Sequence, residues 1–222
     1  WSDNVTSWVD VRKSPEWIYD GNIAVYSSSF SEDGEYFVVG TWEDLYLFNT
    51  NSSTPIWSHE FDDGGTYGPL SSLDISADGS YIVGGFGEKV YLFGRNSSSP
   101  LWSYEATDDI KSVSISASGD SIVASSSDYK LYLFDKDSST PLWSYGTYDD
   151  LDPYISFVDI SAGGEHIVFG TFNFETENEI AFFNKDSNTP IWTYENQGSI
   201  RSVAISSDGE YIAVGASNEK VY

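Results

Sequence analysis

One short phrase constrains this chain more than any other feature: an Ile or Phe followed by Ser-x-x-Gly, five times over. Its copies are Phe30-Ser31-Glu32-Asp33-Gly34, Ile75-Ser76-Ala77-Asp78-Gly79, Ile115-Ser116-Ala117-Ser118-Gly119, Ile160-Ser161-Ala162-Gly163-Gly164 and Ile205-Ser206-Ser207-Asp208-Gly209. Their glycines lie 45, 40, 45 and 45 residues apart. A second phrase, Pro-x-Trp, recurs out of phase at Pro15-Glu16-Trp17, Pro55-Ile56-Trp57, Pro100-Leu101-Trp102, Pro141-Leu142-Trp143 and Pro190-Ile191-Trp192. Two interleaved phrases at this period describe one supersecondary unit stacked repeatedly.

The unit reads as four short strands, here called a to d. In the middle copy, Ile110–Ser116 alternates apolar and polar residues, the period of a strand. Ala117-Ser118-Gly119-Asp120 is a turn, Ser121–Ser125 is strand b, and Lys130–Phe134 is strand c. Pro141–Tyr145 is strand d, with Pro where no ladder donor is needed. No stretch keeps a 3.6-residue period, so the expected class is all-β. Four antiparallel strands per 40–45 residues is the blade of a β-propeller.

The repeat Ser-Val-Ser-Ile-Ser … Lys-Leu-Tyr-Leu-Phe … Thr-Pro-Leu-Trp-Ser-Tyr resembles the tryptophan–aspartate and pyrroloquinoline-quinone-like propeller repeats of archaeal and bacterial surface proteins. The resemblance runs from about Val9 to Tyr222. Phe48-Asn49, Phe93-Gly94 and Phe134-Asp135 stand where the eukaryotic repeat has Trp-Asp. Quinone-dependent dehydrogenases with similar repeats use a vicinal Cys pair. This chain has no Cys, so that activity does not carry over.

A single propeller domain over residues 1–222 is expected, with repeats near 22–60, 70–105, 110–145 and 155–194 and an incomplete one at 200–222. The strand Pro15–Tyr19 precedes the first a–b pair, and the last repeat stops inside strand c. The expected architecture is therefore five blades in a ring, closed by Pro15–Tyr19 lying beside Glu219–Tyr222. Trp8–Val11 also reads as a weak strand c for that slot. Recurring Tyr46, Tyr91 and Tyr132, Phe48, Phe93, Phe134 and Phe183, and Trp57, Trp102, Trp143 and Trp192 are expected to pack between blades.

Charge restricts the partners. Ten Lys and Arg against 35 Asp and Glu leave a net charge of −25, which repels nucleic acid and anionic membranes. No apolar run is long enough for a membrane helix. The chain begins at Trp1 and contains no Met, so a processed mature chain, an excised fragment or a chain whose ends were never seen is expected. With the sequons at Asn4, Asn51 and Asn96, this points to an extracellular or cell-surface protein with glycans at those positions.

Catalysis finds no motif: the histidines are His59 and His166, and no nucleophile elbow, zinc helix or phosphate loop occurs. A non-catalytic binding or scaffold role follows, with no cofactor and no metal. The a–b turns and c–d loops are uniform, whereas the d–a and b–c loops vary from repeat to repeat, as a binding face does. Tyr67, Tyr148, Tyr154, Phe172 and Phe174, with Asp149, Asp150 and Asp152, are the candidate ligand residues. They suit a neutral or cationic protein or carbohydrate. The alternative is a structural subunit of a surface layer or filament, self-assembling through strand edges.

Overall fold

The computed structural model describes residues 17–21, 24–61, 70–146, 154–172, 178–196 and 198–222. Among them the regular elements are all β-strands. The first repeat forms β1 (Ser27–Phe30), β2 (Tyr36–Gly40), β3 (Asp44–Asn49) and β4 (Trp57–Glu60). The second forms β5 (Ser72–Ile75), β6 (Tyr81–Phe86), β7 (Lys89–Gly94) and β8 (Pro100–Glu105). The third forms β9 (Ile110–Ile115), β10 (Ser121–Ser126), β11 (Lys130–Asp135) and β12 (Trp143–Gly146). The fourth forms β13 (Tyr154–Ile160), β14 (His166–Phe172), β15 (Asn178–Asn184) and β16 (Trp192–Asn196). The fifth contributes β17 (Ile200–Ile205) and β18 (Ile212–Ala216). Each of the first four repeats is a four-stranded antiparallel meander, and the fifth is a two-stranded sheet.

The Ser-x-x-Gly phrase is the a–b turn, and its two named residues have separate tasks. The Gly sits at positive φ (69°, 71°, 80°, 74° and 73° at Gly34, Gly79, Gly119, Gly164 and Gly209), where a side chain is strained. The Ser hydroxyl accepts the backbone N–H that opens strand b: Tyr36 on Ser31, Tyr81 on Ser76, Ser121 on Ser116, His166 on Ser161 and Tyr211 on Ser206, at 2.9–3.1 Å. The same turn therefore forms in every repeat, whatever lies between Ser and Gly.

The core consists of layers between neighbouring sheets. One layer joins Val38, Leu45 and Leu47 of the first repeat to Leu73, Ile75 and Ile82 of the second. The next joins Val83 and Leu92 to Ile110, Val113 and Ile122, and another joins Leu131 and Leu133 to Ile155, Val158 and Ile167. Phe48, Phe93, Phe134 and Phe183 are all buried. Across each of these layers an indole reaches the next repeat. Trp57 Nε1 donates to Arg95 O (2.7 Å), Trp102 Nε1 to Lys136 O (2.7 Å) and Trp143 Nε1 to Lys185 O (2.6 Å). Each tryptophan also packs on that repeat's Phe: Trp57 on Phe93, Trp102 on Phe134 and Trp143 on Phe183.

Two expectations need correction. The ring is not closed: among the described residues nothing lies within 4 Å of a Cβ placed at Gly34 in the first repeat or at Gly215 in the last. Trp17–Tyr19 form no strand and pack on the first repeat. Trp17 Nε1 donates to Thr50 O (2.8 Å), and its ring stacks on Phe37 and Phe48. Residues 219–222 instead return on β18, through a Gly215–Val221 bridge and mutual Val214–Tyr222 backbone bonds. Trp192 is the second correction. It is exposed and stacks on Phe182 of its own sheet, because the last repeat offers no buried Phe for it. Pro15 and Trp8–Val11 lie outside the described residues.

Candidate functional site

Of the candidate ligand residues, Tyr154 and Phe172 are described, while Tyr67, Tyr148, Phe174, Asp149, Asp150 and Asp152 lie outside the described residues. Tyr154 opens β13 and Phe172 ends β14, and the two are ladder partners. Cross-strand pairing sets their ring centroids 5.7 Å apart, tilted by 47°. From the next repeat, the Arg201 guanidinium lies 4.9 Å from the Phe172 centroid, a cation–π contact. The two residues meet at the variable-loop end of the fourth repeat. A tilted pair of rings and one cation meet there in a molecule of net charge −25.

The variable end of the third repeat is tied down. Asp128 accepts the Tyr132 hydroxyl (2.5 Å) and the Thr107 hydroxyl (3.1 Å), and Ser127 N–H donates to Asp109 O (2.8 Å). Burial and the adjacent Asp128 push the Tyr132 phenol far up, so it stays a donor. Asn51 and Asn96, two of the sequon asparagines, are exposed in the c–d turns at the opposite end. Asn4 is outside the described residues.

A second site was not anticipated from the sequence. The first strands of all five repeats surround a cavity of about 240 Å³, lined by Glu32, Asp74, Ser114, Asp159 and Ser207 among others. Asp74 binds both neighbouring repeats. Its Oδ1 accepts Ser29 Oγ (3.0 Å) and Ile75 N–H (2.8 Å), and its Oδ2 accepts Ile115 N–H (3.1 Å) and Ser114 Oγ (3.3 Å). Asp159 repeats the pattern two repeats on. Its Oδ1 accepts Ile160 N–H (2.9 Å) and Ser114 Oγ (3.1 Å), and its Oδ2 accepts Ile205 N–H (2.8 Å). The single Ser114 proton is thus shared between two carboxylates.

Burial raises both carboxyls above the ordinary range, against the hydrogen bonds that favour the charged forms. The arrangement clamps all five repeats by their first strands. Among the described residues, no group of three or more His, Cys, Asp and Glu is placed to hold a metal ion. The signal in the sequence was a carboxylate between two apolar residues of strand a, Leu73-Asp74-Ile75 and Val158-Asp159-Ile160, where other repeats have Ser or Ala.

The histidines serve packing. His59 Nδ1 lies 2.8 Å from Ser98 O, and the ring meets Phe61 and Phe93 edge-on. His166 stacks on Phe182 and lies beneath Gly209.

Comparison with known families and structures bears on this geometry. Residues 98–135 and 188–222 match the family model described as WD domain, G-beta repeat. The chain carries WD-like repeats. Its fold is similar to that of a solved chain titled Kuenenia stuttgartiensis Hydrazine Synthase, with a TM-score of 0.71 and 16% identity, over 86% of this chain. The match covers 55% of that chain, so this protein spans about half of its length. At that identity the likeness shows the β-propeller-like fold alone. No curated protein matches the sequence. Among the described residues no helix is long and apolar enough to cross a membrane.

Proposed function

We propose that this WD-like propeller is a non-catalytic scaffold at the cell surface or outside the cell. It presents its variable-loop face to a neutral or cationic protein or carbohydrate ligand. The Tyr154–Phe172 pair carries this reading: two candidate aromatics from separate strands come together at the rim instead of entering a core layer. Aromatic faces stack on sugar rings and accept cations. WD-like repeats generally support protein interaction, and the packing roles of His59 and His166 fit a protein without a catalytic histidine. The exposed Asn51 and Asn96 fit glycosylation outside the cell.

The test is a glycan array and a cationic-peptide array, read for the parent chain and for Tyr154→Ala/Phe172→Ala. A bound probe should lose at least tenfold in affinity in the double variant, with little change in melting temperature. Unchanged binding would overturn the assignment. Mass spectrometry of the native protein tests Asn51 and Asn96, where unmodified asparagines would remove that support for the location.

A further inference from the structure

The c–d turn has the same build in three repeats, and the second repeat departs from it. In the first, third and fourth, an Asn or Asp ends strand c, and its side chain accepts the backbone N–H two residues on. Asn49 Oδ1 accepts Asn51 N–H (3.0 Å), Asp135 Oδ1 accepts Asp137 N–H (2.9 Å) and Asn184 Oδ1 accepts Asp186 N–H (3.0 Å). The second repeat has Gly94 at that place, so Asn96 N–H has no such acceptor. Beside Gly94 a cavity of about 370 Å³ opens instead, lined by Ser80, Tyr81, Arg95, Asn96 and Leu101 among others. A Cβ at Gly94 would stand 3.8 Å from Leu101 Cδ1, an ordinary contact, so an Asn there would enter this space without a clash at that atom.

The walls are of two kinds. Leu101, 55% exposed, is the apolar side. Two hydroxyls provide opposite polarities. Ser80 Oγ donates to Asp78 Oδ2 (2.6 Å) and keeps its lone pairs as acceptors. Ser97, also on the wall, accepts Ser99 N–H (3.0 Å) on its Oγ, which leaves its proton to donate. The Arg95 guanidinium is held away, on Asp78 O (2.9 Å) and over the Tyr36 ring. A pyranose has the matching character, a face of C–H groups and an edge of hydroxyls. The exposed Asn96 stands on the rim and opens the sequon Asn96-Ser97-Ser98.

We propose that Asn96 carries an N-linked glycan whose first sugar ring lies in this cavity, its C–H face on Leu101 and its hydroxyls at Ser80 and Ser97. In the attachment, the Asn96 amide nitrogen bonds to C1 of a lipid-linked sugar phosphate. The C1–O bond breaks, the phosphate leaves with the electron pair, and the proton lost from the amide goes to the phosphate. This rests on the extracellular, glycosylated reading above and goes beyond it by separating two sequons. The Asn96 sugar is seated and covers Leu101, which stabilises the fold. At Asn51, the side chain of Asn49 takes the corresponding place, and a glycan there stands out in solvent. The seat is at the opposite end of the blade from Tyr154 and Phe172, so it leaves the ligand face uncovered.

The chain contains no Cys, so one introduced thiol places a sugar at a chosen position. Asn96→Cys and Asn51→Cys are each alkylated with the glycosyl iodoacetamide of N-acetylglucosamine, and with plain iodoacetamide as the control. At position 96 the sugar should raise the melting temperature a few degrees above the control, and at position 51 it should not. Gly94→Asn combined with Asn96→Cys refills the cavity, so the sugar should still attach and the gain should vanish. The seat is overturned if position 96 shows no gain, if position 51 gains equally, or if the gain survives Gly94→Asn. Mass spectrometry of the native protein tests the attachment by itself: an unmodified Asn96 overturns it, whatever the melting test gives.

Discussion

In the second repeat, Gly85 lies under Ile110 and Tyr81 under Gly119. In the last repeat, the equivalent Gly215 meets open space and Tyr211 is exposed. The strands are of the same kind, and their turns make the same bonds. What differs is the presence of a neighbour. Local sequence thus suffices for a blade's turns and alternation, but the stabilising burial belongs to pairs of blades. A residue at a repeated slot is worth what its neighbour provides.

The tryptophans give the largest test of this contrast. Trp102→Ala removes an indole packed on Phe134 and bonded to Lys136 O, so it should cost about 3–5 kcal/mol in chemical denaturation. Trp192→Ala, at the exposed slot of the fourth repeat, should cost about 1 kcal/mol, the ordinary effect of a single substitution. Equal losses would break the comparison.

The glycine slots give a smaller one. A Cβ at Gly85 would stand 2.5 Å from Ile110 Cγ2, so Gly85→Ala should cost about 1–3 kcal/mol through overpacking. Gly215→Ala meets no atom of the described residues within 4 Å, and by restricting the unfolded chain it should stabilise by about 0.4–1 kcal/mol. The third repeat carries Ser125 at this slot, and its buried hydroxyl has no hydrogen-bond partner. Ser125→Ala should therefore raise stability by about 1 kcal/mol, and a fall in melting temperature would show that the hydroxyl has a role.

The smallest test is in pH, where axis and turns should oppose each other. Burial raises Asp74 and Asp159, so their contribution is present below the unfolded carboxylate range near about 4 and is lost as pH rises through their folded values. The turn carboxylates behave in the opposite way. Asp78 is lowered, chiefly by its bond from Ser80 Oγ, and Asp208 chiefly by its bond from Ser206 Oγ. Their contribution is present above the same range and is lost as pH falls through their lowered values. Asp159→Asn should flatten the alkaline-going loss of melting temperature, and Asp78→Asn the acid-going loss. If both substitutions altered the same limb, the assignment would be wrong.

The candidate site was only partly legible. Tyr154 and Phe172 could be picked from the sequence because they fall outside the repeated packing slots. Their partner Arg201 could not, since it comes from the next repeat at an unremarkable strand position. The axial carboxylates were passed over for the same reason. Asp74 and Asp159 look like ordinary polar alternation until the strands are arranged around a common cavity.

Two features followed from the sequence by itself: strand-and-turn identity and the assignment of Phe93, Phe134 and Trp102 to packing. Both rest on local chemistry repeated at a fixed period. A Gly at positive φ, a Ser three residues before it and apolar alternation specify a hairpin without reference to the rest of the chain. Closure was a different matter. It depends on whether the first face meets the last, and that is a sum of small rotations over every repeat, which no single repeat encodes. The tertiary structure alone decided that Trp17 lies on the first repeat, that 219–222 return on β18, and that Val25, Gly34, Tyr211 and Gly215 stay uncovered.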